Sequence, residues 1–597
     1  MSSRRTMTAT EALAMLRRLD DEDSDGGAGT DRDSDVSWSL DSSSSSESDS
    51  DNEFIPRRKK SRLDISDPGT DLVPSDNIPV QNPDPSDVSA VPRQSSPPRD
   101  EEAGPINPLS AERRETAKDG TVWTFIESGE DRGRRQCQNV ITEAAGPTAH
   151  AKRNIEDALT AFLCLVDEGM LKHIRDCTVA EAHRVKEDKI WDMSVEELKA
   201  FIGLIYIRGA QGGKGMDLAS FWSAEWGCAF FKETMSRNRF QEIMRFLRFD
   251  RRETRRTRLQ DNKFALMSDV WDRFVQNCIV CYKPGADITV DEQLFPTKSR
   301  CSFMQYIANK PDKFGIKFWL AADVDTKYMV NGAPYLGKDE TRRPGQRLGD
   351  SVVLKMVEPY LGKGRNVTTD NFFTSFELAK ALQAKKTSLV GTVNKTRREL
   401  PPCVKAQRPL FSTEVLKSGD ATLTVYQCKR KKNVCILSTV HTAVGITSGH
   451  KSKPETVTYY NKTKVGVDVL DQMARKYSVK APSRRWPVAV FYNILDLAAI
   501  NAHILFKKCT NEKVSRRDFI TRLASELRSD HISSKATQLV VREPGPGQEQ
   551  QQMERRRQCQ VRRNCKKNKT KETCAKCHKV VCGSCTRKAV FTCVDCA

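Results

Sequence analysis

Between residues 150 and 280 apolar positions recur three and four apart, the spacing of helices that each bury one face. Ser194-Val195-Glu196-Glu197 reads as a capping box, and Leu198, Phe201, Ile202 and Ile205 follow on one side. A second run, Arg239 to Phe249, sets Phe240, Ile243, Met244 and Leu247 on one face and arginines on the others. A third runs from Phe264 to about Val280. The arginine-rich link Arg251 to Arg258 reads equally as a DNA contact or a solvated loop.

The period then shortens. Asp287 to Phe295, Phe314 to Asp323 and Lys327 to Tyr335 read as strands, with Asp325-Thr326 as a turn between the last two. A helix follows, with Val353, Met356, Val357, Tyr360 and Leu361 on its apolar side and Gly362 and Gly364 ending it. A strand, Asn366 to Thr369, then a helix, Ser375 to about Lys385, and a strand, Ser388 to Val393, complete the series. Three strands, helix, strand, helix, strand is the order of the RNase H-like plan, although many α/β domains alternate in a similar way. Residues 401–460 are more strand-like, with Leu423 to Cys428 and Val434 to Val440 as candidates, and read as an insertion. Helical pattern returns from Val467 to about Lys507.

The two ends differ from this body. Residues 1–110 are rich in Ser, Asp and Pro and offer little apolar surface to offset ordering entropy, so disorder is expected there. Pro56-Arg57-Arg58-Lys59-Lys60-Ser61-Arg62 reads as a nuclear localisation signal or as a charged piece of linker. Residues 536–556 form a polar linker before a cysteine-rich end at 557–597. The formal charge is +20, but residues 1–55 carry −9, which leaves +29 for the rest. Such a body suits a polyanionic partner, nucleic acid above all, or is simply a well-solvated surface. No stretch approaches the roughly 20 uncharged apolar residues of a membrane span, so a soluble protein inside the cell is expected.

Three acids sit where a metal site would be built. Asp291 lies within the first strand, Asp370 just past the fourth, and Asp468 at the start of a helix after the insertion. In the RNase H-like plan the first and fourth strands are neighbours, so their acids can converge. Two Mg²⁺ ions (or Mn²⁺) roughly 3.5–4 Å apart, held by carboxylate oxygens, would activate an attacking oxygen and stabilise a leaving one. Each acid also has a plain structural reading: Asp291 as a strand-end turn residue, Asp370 and Asp468 as helix N-caps. Asp471 shares a helix face with Asp468 and is either a fourth acid of the site or an exposed helix residue.

Several longer motifs resemble the piggyBac transposase family. They are Asp291-Glu292-Gln293-Leu294, Tyr306-Ile307-Ala308-Asn309-Lys310-Pro311 with Lys313-Phe314-Gly315-Ile316-Lys317, Thr369-Asp370-Asn371-Phe372-Phe373-Thr374-Ser375, and Val465-Gly466-Val467-Asp468-Val469-Leu470-Asp471-Gln472-Met473. The resemblance runs in the same order from about residue 150 to the C-terminus. It implies a catalytic triad of Asp291, Asp370 and Asp468 with Asp471 beside it. It also implies cut-and-paste transposition by nicking, hairpin formation, resolution and joining to TTAA sites, carried out by a dimer on DNA; with the basic cluster at Pro56–Arg62, a location in the nucleus is expected. Asn371 matches a position close to target DNA, Arg397 and Arg398 resemble a basic DNA-facing pair, and Trp486 lies in the family's Arg-Trp-Pro segment. Trp486 would stack on an unpaired base or be a core tryptophan at a helix start. The architecture implied is a multidomain α/β protein. A helical DNA-binding and dimerisation domain at 150–280 precedes an RNase H-like (DDE) core at 285–400 and 461–535, with the β-rich insertion at 401–460.

Nineteen cysteines complete the picture. Eleven, from Cys137 to Cys509, are scattered and read as reduced thiols. The other eight are Cys559, Cys565, Cys574, Cys577, Cys582, Cys585, Cys593 and Cys596, and three C-x-x-C pairs in succession point to two tetrahedral Zn²⁺ sites. So short a segment has no self-sufficient core, and metal would supply its folding energy. The resemblance implies a cross-brace: Cys559 and Cys565 with Cys582 and Cys585, Cys574 and Cys577 with Cys593 and Cys596. The family's first pair is C-x-x-C, whereas Arg562 stands here, so Cys565 or His578 must substitute or that site is weak. The module would bind the element's terminal repeats or serve only for dimer and partner contacts.

Overall fold

The computed structural model describes residues 113–129, 140–308, 310–337, 345–541, 557–561, 568–570, 572 and 579–585. The expected disordered tail and its basic cluster lie outside the described residues; of the linker expected at 536–556, residues 536–541 instead continue a helix, Arg516–Val541, and 542–556 lie outside. So do Cys565, Cys574, Cys577, Cys593, Cys596, Arg562 and His578.

After two short helices, Ala149–Asn154 and Ala158–Leu163, the helical region continues with α1 (Glu168–Lys186) and α2 (Val195–Ala210). Asp167 caps the first, and the Ser194 hydroxyl accepts the Glu197 amide at 3.1 Å to start the second. Helices α3 (Arg237–Phe246), α4 (Arg252–Asp261) and α5 (Ser268–Cys281) follow. The arginine-rich link is thus a helix, with no buried residue. Arg255 and Arg258 are spent on the buried carboxylate of Asp250, at 2.8 and 3.2 Å, and Arg251, Arg252 and Arg256 stay exposed.

One eleven-stranded sheet spans the rest. In chain order its strands are β1 (Arg114–Thr116), β2 (Val122–Ile126), β3 (Asp287–Pro296), β4 (Met304–Tyr306), β5 (Phe314–Asp323) and β6 (Met329–Pro334). Then come β7 (Asn366–Thr369), β8 (Ser388–Thr392), β9 (Thr413–Ser418), β10 (Ala421–Lys429) and β11 (Lys432–Ser438). At its centre β6 pairs β5, β5 runs antiparallel to β3, β3 parallel to β7, and β7 parallel to β8. That is the RNase H strand order, read from the third strand through the first to the fifth. The helices α6 (Leu348–Val357) and α7 (Phe376–Gln383) make the two crossovers between the parallel strands.

Residues 401–460 do not build a sheet of their own. β11 pairs antiparallel with β8 (Val390 opposite Ser438), so the core sheet simply continues through β10 and β9. The N-terminal hairpin β1–β2 covers the outer side of β9, with Val415 opposite Ile126. Trp123 anchors it: fully buried, its indole N–H donates to the Glu399 carbonyl at 2.8 Å.

The helical pattern after residue 460 is interrupted. Helix α8 (Glu455–Thr463) leads into α9 (Gly466–Lys476), and α10 (Trp486–Thr510) and α11 (Arg516–Val541) follow an irregular stretch. By length and composition α10 passes as a membrane span, with an 18-residue window of mean hydropathy 1.6, but that window is wholly buried inside the protein. A helix apolar all round is what a large core requires, each enclosed Leu, Ile or Phe contributing roughly 1.5–3 kcal/mol. Two of its polar side chains bond to the sheet. Asn501 exchanges two hydrogen bonds, both 2.9 Å, with the backbone of Met329, and Asn493 donates to Gln293 at 2.8 Å.

Asp496 holds the break before α10 by accepting the Ser478 hydroxyl at 2.6 Å and the Val479 amide at 2.8 Å. Burial pushes its carboxyl up to about 7 despite those two bonds. In the unfolded chain it titrates near about 3.9, so the native state holds the extra proton and this group's contribution falls as pH rises from about 4 to about 7. Asp496→Asn should flatten that part of the pH dependence. In urea unfolding at about pH 5 and about pH 8, the variant should gain on the wild type by more than about 1 kcal/mol across the interval. An unchanged difference would contradict the assignment.

Candidate active site

Parallel pairing of β3 with β7 sets Val290 opposite Thr369, which brings the next residues, Asp291 and Asp370, side by side. Asp291 is in mid-strand and is no turn residue. Asp370 is no helix cap either, because Ser375 caps α7. Its Oδ1 instead accepts the Phe372 amide at 2.9 Å and closes the turn that leaves β7. The Thr374 hydroxyl ties this turn to the Asp370 carbonyl at 2.7 Å and to Thr369 Oγ1 at 2.7 Å.

The third acid arrives on α9. Threonines dock the α8 end onto the sheet: Thr289 Oγ1 donates to the Thr463 carbonyl at 2.6 Å, and Thr368 Oγ1 donates to Thr463 Oγ1 at 2.9 Å. Gly466 then lies so close to β3 that a Cβ there would stand 2.5 Å from Thr289 Oγ1. Asp468, two residues on, occupies the first turn of α9, whose N-cap is Val465 with no side-chain cap.

The electrostatics carry the mark of this convergence. Burial, with the charges of Glu292, Asp370 and Asp468, pushes the Asp291 carboxyl up to about 8. Burial also raises Asp370, to which the Glu292 charge adds and which Lys317 opposes. Carboxylates that share a half-buried site raise one another in this way, and a cation between them reverses the effect. Lys317 supplies part of that charge. Its ammonium is 3.7 Å from Glu292 and lies over the Trp319 ring at 3.9 Å, and burial depresses it while the acids pull it back up. Lys310 stands 3.9 Å from Glu292 on the other oxygen. Lys317, Lys310 and Glu292 fall inside motifs that the sequence displays, but nothing in the spacing singles them out.

The remaining site residues divide. The Asp471 carboxylate is engaged by Gln293 Nε2 at 3.2 Å and Arg475 at 3.0 Å, and Arg475 reaches on to Asp312 at 3.0 Å. It is therefore an ion-paired residue one turn beyond Asp468. Asn371 is exposed at the tip of the Asp370 turn, beside the exposed ring of Phe372. Arg397 is half-buried and donates to the carbonyls of Asn371 (3.1 Å) and Phe372 (3.3 Å), whereas Arg398 is exposed. Trp486 is half-buried, stacked on Phe264 (5.5 Å between centroids) and edge-on to Phe303 (5.0 Å). Its neighbour Arg485 donates to the Leu247 carbonyl at 2.8 Å and to that of Met244, closing the end of α3. A groove of about 720 Å³ opens beside Gln293 and Asp471, lined by Lys214, Lys298, Lys313 and Lys480.

In the cysteine-rich end, the sulfurs of Cys559, Cys582 and Cys585 lie within 4.8 Å of one another. Three thiols at that separation fit a tetrahedral zinc site, in which ligand sulfurs stand about 2.3 Å from the ion.

The strand order, with carboxylates gathered at its centre, places the chain in the class of RNase H-like nucleic-acid-processing proteins. Residues 157–503 match the family described as Transposase IS4. The human PiggyBac transposable element-derived protein 3 is 24% identical over 443 residues, which cover 68% of this chain and 70% of that protein. The human PiggyBac transposable element-derived protein 2 is 24% identical over 59% of this chain and 62% of its own length. A cryo-EM structure of a piggyBac transposase synaptic complex with hairpin DNA superimposes with a TM-score of 0.65 and 32% identity, covering 76% of this chain and all of that one. The chain belongs to the piggyBac family of transposases.

Gly466→Ala should push α9 off β3 and displace Asp468. Overpacking of this kind costs about 1–3 kcal/mol of stability, whereas a shift near 1 Å at a reacting centre costs about 10²-fold in rate. A DNA-cleavage assay alongside thermal unfolding should therefore show a well-folded chain with about hundredfold slower cleavage. Undiminished cleavage would contradict the role given to this close approach.

Proposed function

We propose that the chain is a cut-and-paste DNA transposase, which excises an element and joins its 3′ ends to TTAA target sites. The observation that carries the reading is the side-by-side placement of Asp291 and Asp370 on paired strands, where burial raises both carboxyls and the charges of Glu292, Asp370 and Asp468 add to the rise at Asp291. Structural ion-pair networks avoid such an excess of acid; a site for divalent cations requires it. Asp291 and Asp370 would hold the ions from the sheet and Asp468 from α9. Bound there, two Mg²⁺ or Mn²⁺ ions supply the activated attacking oxygen and the stabilised leaving oxygen of phosphoryl transfer.

The chain's own groups do the rest. Lys317 and Lys310, held on Glu292, place positive charge at the rim of the cluster where a phosphate would enter. Arg398 and Asn371 are exposed to a DNA backbone, and the lysine-lined groove beside Asp471 offers the strand a path. Arg397 acts by fixing the carbonyls of the Asp370 turn, and Asp471 by holding Gln293 and Arg475 under α9. Trp486 has its indole packed on Phe264 and Phe303, so any stacking on an unpaired base uses the part of the ring left open. Cys559, Cys582 and Cys585, with the remaining cysteines of the tail, would take two structural Zn²⁺ ions and present the basic tail to the terminal repeats. Action as a homodimer in the nucleus completes the reading.

A second reading is an element-derived DNA-binding protein that no longer transposes, favoured by the names of both human relatives. Excision and joining of DNA carrying the element's own ends separates the two. With Mg²⁺ the wild type should cut and join, chelation should abolish both, and Asp370→Asn should lower cleavage about 10³-fold, the loss of several kcal/mol. Tight end binding without cleavage by the wild type would establish the second reading.

A further inference from the structure

Two of the scattered cysteines are not isolated. A ring nitrogen of His150 and the sulfurs of Cys164 and Cys281 all lie within 4.8 Å of one another, sharing no residue with the carboxylate cluster and outside the cysteine-rich end. His150 is exposed, Cys164 half-buried and Cys281 buried, so the group runs from the surface inward.

The backbone around it is fixed. The Thr148 amide donates to the Cys281 carbonyl at 3.0 Å, and the Thr148 hydroxyl donates to the Val280 carbonyl at 2.8 Å. The same Thr148 caps the short helix Ala149–Asn154 that carries His150. Gly146 and Pro147 pair with Lys283 and Tyr282 just past Cys281. Cys164 closes the helix Ala158–Leu163, and the Cys281 thiol donates to its carbonyl at 3.5 Å. The Asn154 side chain lies 3.3 Å from His150 Nδ1 and orients the ring. That amide also donates to the His150 carbonyl at 2.8 Å, so it holds the residue by both its backbone and its ring.

We propose that His150, Cys164 and Cys281 form a zinc site, distinct from both the carboxylate cluster and the tail cysteines, that staples the segment 146–164 to the end of α5. Two soft thiolates and an imidazole are a donor set suited to Zn²⁺, and ligand spacings below 4.8 Å need little closure for bonds of about 2.3 Å to sulfur and about 2.0–2.1 Å to nitrogen. Binding converts two thiols to thiolates and releases their protons to solvent, with no change in oxidation state. The fourth position faces the exposed His150 side and takes a water.

The test is zinc content of the full-length protein by metal mass spectrometry, for the wild type, His150→Ala and Cys164→Ser, each also in a Cys582→Ser, Cys585→Ser background. His150 is exposed, so its removal leaves the core intact. Cys164→Ser should lower zinc by about one equivalent per chain in both backgrounds, and His150→Ala should release that equivalent at about tenfold lower chelator concentration or more. Equal zinc content and equal chelator resistance in wild type and variants would overturn the proposal. So would a Cys164–Cys281 disulfide in the protein purified from a reducing compartment.

Discussion

Like charges brought together in a half-buried place resist one another, and that resistance organises this protein. Asp291 and Asp370 are forced side by side by the pairing of two parallel strands, and neither can move away without breaking the sheet. The fold accepts a carboxyl pushed to about 8 at Asp291 because the surrounding sheet, α9 and α10 outweigh the cost. Two lysines held by Glu292 reduce the excess without removing it. A divalent cation between such carboxylates would reverse that repulsion, the chemistry on which the proposed function rests.

The elements that meet this constraint come from distant parts of the chain. α9 reaches β3 through threonine hydrogen bonds and the bare Gly466, so the third acid is placed by contacts rather than by its own strand. α10, apolar enough to pass for a membrane span, serves as the post on which the sheet and the helical region both rest. Arg485 and Trp486 at its start lock α3 and Phe264 to it. Arg485 and Trp486 are therefore a structural joint here.

Much of this was legible in the sequence where burial imposes a local rhythm. Phe314–Asp323 and Asn366–Thr369 are strands over the span that their apolar runs indicate, and Gly362 and Gly364 do adopt positive φ, 75° and 74°, after α6. Non-local pairings left no such signature. The β1–β2 hairpin joins the sheet only through β9, hundreds of positions away, where Val415 stands opposite Ile126. The adjacency of Asp291 and Asp370 was readable from the strand order, whereas the close approach of α9 to β3 was not, because Thr463 and Gly466 have no visible partner until β3 is beside them. Ion pairing of Asp471 with Arg475 fits a helical i, i+4 spacing, yet the bonds of Arg397 to the Asp370 turn depend on a loop geometry that no pattern encodes. His150, Cys164 and Cys281 are likewise joined only by the fold.

The central claim is that the three aspartates form a cation site strained by its own charge. Calorimetric titration of the full-length protein with Mn²⁺ at about pH 7, in two buffers of different ionisation enthalpy, measures it most directly. With the Asp291 carboxyl near 8, binding at about pH 7 should release about one proton per chain, a number that halves by about pH 8 and is small by about pH 9, and Asp291→Asn should abolish the release along with most of the affinity. Binding of equal strength in wild type and variant, or binding with no proton released at about pH 7, would contradict the account.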